Sequence, residues 1–175
     1  MKNIGGEKIK IKCKLLIVLF LLIPSSVYAQ TDDEVESLRG LKGVYVLIDS
    51  LHPDIEADGL RENQIHTDVE LKLRLAGIKV LNEVEYLMEK GKPYLYIRFN
   101  SFRHESGLHI INIGVGLNQS VYLERDLNIK VYGAVTWDLY YTGTVGAKNV
   151  NQIRDIIKDL VDEFINDYLS VNPKD

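Results

Sequence analysis

Along residues 151–169 the apolar positions are Ile153, Ile156, Ile157, Leu160, Val161, Phe164, Ile165, Tyr168 and Leu169. Steps of three, four and one predict a helix with a wide apolar face. A helix of this kind must bury that face against another layer, and the chain before it alternates in the manner of strands. Residues 44–48, Val-Tyr-Val-Leu-Ile, are β-branched and aromatic and suit a central strand. Residues 60–76 carry Ile65, Val69 and Leu73 at steps of four, widened by Leu60, Leu75 and Ala76. They predict a second helix, with Asp58 as its N-cap and Gly77 as its terminator.

Residues 78–81 read as a short second strand, and residues 82–88 as one or two helical turns ended by Gly91 and Pro93. Residues 94–100 alternate as a strand, followed by a polar turn over 103–107. In residues 108–123, Ile111, Ile113, Val115 and Leu117 oppose Asn112, Gly114, Gly116 and Asn118, so one face meets a core and the other is thinly covered. Residues 124–128 form a charged hairpin tip. Residues 129–141 form the last long strand, with apolar residues on both parities that leave its buried face open. Residues 142–146 read as loop or a loose strand end, and Asn149 or Asn151 caps the final helix.

This order predicts an α/β (α+β) fold, a two-layer sandwich. A mixed sheet of about five strands carries two helices on one face. The first two strands, joined through a helix, should be parallel with a right-handed crossover. The last three should form an antiparallel meander.

The start of the chain reads differently. Lys2, Lys8, Lys10, Lys12 and Lys14 precede an unbroken apolar run over 15–23, and Val27-Tyr28-Ala29 supplies small residues at a cleavage point. We read residues 1–29 as a cleaved secretory signal and 30–175 as a single domain. The run is too short for a membrane span, which needs about 20 apolar residues. The localisation expected is periplasmic or secreted. Cys13, the one cysteine, precedes the apolar run and leaves with the signal, so disulfide and thiolate chemistry drop out of the mature domain. The signal also removes five lysines and Glu7, which takes 21 basic and 25 acidic side chains to 16 and 24, a net charge of −8. A broad nucleic-acid surface is not expected from that balance.

Candidate chemistry is sparse. His104 and His109 lie five apart with Gly107 between them, unlike the four-residue spacing of a helical zinc-protease motif, and read as exposed turn histidines. No metal or cofactor site is predicted. The glycine pairs lack the Gly-Lys-Ser/Thr ending of a phosphate loop, and no Gly-x-Ser-x-Gly occurs. Asp49, His52 and Asp54 follow the first strand, where α/β folds place ligands, and are the catalytic candidates for a small hydrolase or ligand-binding protein. Ordinary loop formation accounts for the same residues.

Aromatics concentrate on the last three long strands. Half-buried strand packing uses such residues, and so do interfaces. If two helices cover one sheet face, Tyr96, Tyr132 and Tyr140 are candidates for an open platform on the other, facing a peptide, a glycan or another subunit.

The stretches at residues 38–48 (Leu-Arg-Gly-Leu-Lys-Gly-Val-Tyr-Val-Leu-Ile), 67–78 and 164–173 resemble a group of uncharacterised exported bacterial proteins. That resemblance spans nearly all of the mature chain and brings no catalytic residues with it. The layout of elements also resembles the amino-terminal domain of the translocation protein TolB, which implies a protein-binding periplasmic module. The expectation is a non-enzymatic exported domain that binds a protein or envelope component or self-associates. A homo-oligomeric structural domain is a further alternative.

Overall fold

The computed structural model describes residues 31–173. The expected signal peptide lies outside them. The elements run α1 (Asp32–Glu36), β1 (Tyr45–Ile48), α2 (Pro53–Ala57), α3 (Glu62–Leu75), α4 (Glu83–Met88), β2 (Tyr94–Arg103), β3 (Leu108–Leu123), β4 (Asp126–Gly146), a 3₁₀ turn (Ala147–Asn149) and α5 (Gln152–Val171). The sheet has four strands in the order β1-β2-β3-β4. β1 and β2 are parallel, and β2, β3 and β4 form the expected antiparallel meander. This is an α+β fold with a mixed sheet. Among the described residues no helix is long and apolar enough to cross a membrane.

Register follows from the alternation in β3. Ile111, Ile113, Val115 and Leu117 are buried beside Leu95, Ile97 and Phe99 of β2 and Trp137 of β4. Val46 and Ile48 of β1 extend the same face. Onto it pack Ile65, Val69 and Leu73 of α3 and Ile153, Ile157, Val161 and Phe164 of α5. The two long helices therefore share one face, as their stripes require. Trp137 and Phe164 meet nearly edge to face at 5.2 Å, and the indole N–H donates to Asp167 at 2.8 Å. Between the helices, Arg154 donates twice to Asp68, at 2.7 and 3.0 Å, and Lys72 pairs with Asp162. The bidentate geometry fixes the helix pair at its wet seam.

Several local expectations change. The strand over 78–81 shrinks to one parallel bridge, Val44 to Val80, because Asn82 at once begins a capping box for α4. Asp58 does not cap α3. It ends α2, Gly59 and Leu60 intervene, and Arg61 takes the N-cap position without a side-chain bond. Of the two readings of residues 142–146 the strand is the one found, since they pair in register with residues 108–112. The hairpin turn tightens to Glu124 and Arg125, with β4 starting at Asp126. Asn151 stands at the N-cap of α5 but makes no capping bond there.

The ends of the domain are clasped together. Asn172 accepts from the Gly40 N–H at 2.7 Å and donates to the Leu38 carbonyl at 3.0 Å. The Tyr168 hydroxyl donates to the Leu41 carbonyl at 2.9 Å.

Candidate functional site

The sheet face opposite the long helices carries a different set of side chains. The register places them in rows: Tyr45, Tyr94 and Asn118; then Leu47, Tyr96, Gly116 and Asp138; then Arg98, Gly114 and Tyr140; then Asn100, Asn112 and Thr142. The short helix α4 reaches one end of this face. Its Tyr86 stacks on Tyr45 at 5.1 Å and meets Tyr94 edge-on at 6.2 Å.

Arg98 is the centre of the face. Its guanidinium carbon lies 5.8 Å from the ring centre of Tyr96 and 5.2 Å from that of Tyr140. Both are within cation–π range. Its Nη2 donates to Asp138 at 3.5 Å, and its Nε is buried with no hydrogen-bond partner among the described residues. Two glycines make room for this arrangement. A Cβ on Gly114 would stand 2.7 and 2.9 Å from ring carbons of Tyr140, and one on Gly116 would stand 2.8 Å from Nη2 of Arg98. Glycine within a strand marks a close approach of this kind. Tyr140 and Arg98 therefore lie down on β3, and Gly114 and Gly116 are buried beneath them even though they face away from the helices.

The tyrosine hydroxyls are tied by carboxylates. The Tyr96 hydroxyl donates to Asp49, whose second oxygen accepts the Phe99 N–H at 3.2 Å. The hydrogen bond to Asp49 raises the Tyr96 pKa, with burial adding to it. Burial first, and then a hydrogen bond to Asp138, raises that of Tyr140. In both cases a phenolate would face a carboxylate or lose solvent, so the neutral phenol is favoured. The product is a pair of hydrogen-bonded rings around an arginine that meets the carboxylate of Asp138.

Of the predicted binding residues, the structure brings Tyr96 and Tyr140 together across Arg98. Tyr132 sits elsewhere, on the distal part of the β3–β4 hairpin, where Lys130 lies 5.1 Å from its ring and 5.7 Å from that of Tyr122. Tyr132 is 70% exposed and Tyr140 is 52% exposed.

Of the predicted catalytic residues, His52 and Asp54 lie together, Nδ1 3.4 Å from Oδ2, while Asp49 makes its hydrogen bonds elsewhere. Asp49 is engaged by Tyr96 and Phe99. His52 caps α2, its Nδ1 accepting the Asp54 N–H at 3.3 Å, and His52 and Asp54 stand exposed on that cap. Among the described residues no group of three or more His, Cys, Asp or Glu is placed to hold a metal ion.

The exposed-histidine expectation is corrected for His109, which is fully buried on the helix-side face of β3. Its Nε2 stands 2.6 Å from Asp58, its Nδ1 has no hydrogen-bond partner among the described residues, and Arg103 approaches the same carboxylate at 3.6 Å. Alternation explains the burial, since His109 shares the parity of Ile111 and Ile113. That signal was available in the sequence. So was the Gly-Val-Gly alternation at 114–116, which marked a close approach but not its partners. Arg98 and Asp138 carried no signal of their own.

No protein-family model matches this chain, and no curated protein does. Among solved structures it is similar to a minor lipoprotein from Acinetobacter baumannii, at 14% identity and a TM-score of 0.31. The match covers 71% of this chain and 90% of that one. The likeness is a weak one of fold, to a lipoprotein and not specifically to TolB.

Proposed function

We propose that this chain is an exported, periplasmic or secreted domain that binds a protein or another envelope component through the sheet face opposite its long helices, without carrying out a reaction. One observation carries the reading. Arg98 is held between Tyr96 and Tyr140, and glycines beneath lay it flat on the sheet. Rigid aromatics and arginine are the residue types that anchor interfaces, because they offer large contact area at low entropic cost. The apolar run and cleavage signature over 1–29 support export.

Nothing comparable supports hydrolysis by the loop after β1, where Asp49 serves Tyr96 and the backbone. The test is capture of partners from an envelope extract by the mature protein, with light scattering to fix its oligomeric state. A Tyr140→Arg variant serves as the control. The reading expects a partner, or a second copy, that is retained by the wild type and lost with the variant at unchanged melting temperature. A strict monomer that retains nothing would overturn it.

A further inference from the structure

Beside Tyr140 the open face deepens into a shallow groove of about 260 Å³. Asn100, Asn112 and Thr142 lie across it, and Phe102 and Ile110 form its far side. No charged side chain lines it, although the chain as a whole is 26% charged. The volume falls below the roughly 300–1,000 Å³ of pockets that enclose drug-sized ligands. It suits one ring of a longer molecule lying across an open surface.

The chemistry of the groove narrows what that molecule is. Asn100, Asn112 and Thr142 pair in register across three strands, so the backbone hydrogen bonds here run in the plane of the sheet and not toward this face. An extended peptide laid on this face finds no free ladder to join, unlike one added at a sheet edge. Recognition falls to side chains: two amides that both donate and accept, a hydroxyl, and a tyrosine ring. The Asn112 amide already donates to the Thr142 hydroxyl at 2.8 Å, which orients its oxygen and leaves that acceptor for a ligand. Tyr140 lies with one side toward Gly114 and Arg98, half exposed on the other. Its electron-rich face attracts polarised C–H groups. A neutral ring with hydroxyls around its edge and C–H bonds on its flat side matches these groups together.

We infer that the groove of Asn100, Asn112 and Thr142, with Tyr140 beside it, binds an uncharged oligosaccharide, one sugar ring stacking on Tyr140 while its hydroxyls are read by the two amides. This rests on the binding face proposed above and names its ligand class.

The test is saturation-transfer and amide-shift NMR on the mature protein with three uncharged probes, chitotetraose, cellotetraose and maltotetraose, and with tetra-alanine as the peptide of equal length. At least one sugar should shift the amides of residues 100, 112, 140 and 142, and the peptide should not. Asn100→Ala alters an exposed side chain and should weaken that binding by up to about tenfold, with an unchanged amide spectrum elsewhere. Tyr140→Ala should abolish it. Binding unaffected by either substitution, or a peptide that binds as the sugars do, would overturn the inference. If no sugar binds while an envelope protein protects Tyr140, the ligand class is wrong and the binding face stands. If neither occurs, both readings fall.

Discussion

The two faces of this sheet are built from the same strands and use aromatic residues in opposite ways. On the helix side, Trp137 and Phe164 are fully buried and meet across two layers, and the sole polar atom of the pair reaches Asp167. Their contribution is burial. On the other side, Tyr96 and Tyr140 flank Arg98, with their hydroxyls fixed by acids and part of each ring in solvent. Close packing stabilises the fold. A flat, rigid and partly wet surface contributes less to folding and keeps its contact area for something else. The difference teaches where to look: Tyr140, over a glycine and beside an arginine, stays half exposed, while Trp137, in the core cluster, is fully buried even with a carboxylate at its indole N–H.

Substitutions should separate the faces by size of effect. Phe164→Ala opens a cavity in the centre of the helix-side layer and should cost about 3–5 kcal/mol, read as a lower denaturant midpoint. If its cost were no larger than that of Tyr140→Ala, the division between the faces would be wrong. Gly114→Val comes next. Its Cβ would collide with Tyr140 and approach Arg98 Nε at 3.2 Å, so overpacking should cost about 1–3 kcal/mol and displace the Tyr140 ring signals. His52→Ala removes only an exposed cap on a one-turn helix and should cost about 0.5–1 kcal/mol. A much larger loss, or a loss of any measured activity, would revive the loop after β1 as a functional site.

The smallest effect is spectroscopic. Tyr96 and Tyr140 have pKa values raised above the ordinary phenol value, near 10. A group raised in the folded state lends its stability in full below the unfolded value and loses it as pH climbs through the folded one. Phenolate absorbance should therefore show a late phase on the alkaline side, and stability should fall across the same range. Tyr96→Phe should shrink that phase. An unchanged late phase would mean that the Asp49 contact does not hold in solution.

Periodicity made much of this fold legible. The stripe of α5 and the alternation of β3 announced the helix, the strand and the face each buries, because both are local consequences of a repeating geometry. What periodicity does not state is which residue lies across from which. Arg98 meets Tyr140, and Asp58 meets His109, only after three strands have found their register. Asp58 looked like a helix cap because it precedes a helix, and Gly59 and Leu60 then gave it a different role. The strand expected over 78–81 failed for a similar reason. Its residues have the propensity, but Asn82 starts a helix before a second bridge can form. For the candidate site, Tyr96 and Tyr140 were visible as strand aromatics, while the arginine that joins them was one charged residue among many.

The Asn172 clasp has a mechanical consequence. Since Leu38, Gly40 and Leu41 are bound to the last turns of α5, the two ends of the domain lie side by side. A force applied between them acts first on these three hydrogen bonds and on a fourth, from Arg39 to the Val171 carbonyl, and only later on the sheet. A linker joining them would be short, and the chain could be reopened at the β3–β4 turn as a circular permutant. Immobilised by either end, the molecule is held at the same corner, the one α5 makes with the entering chain, so both attachments present the aromatic face in the same orientation.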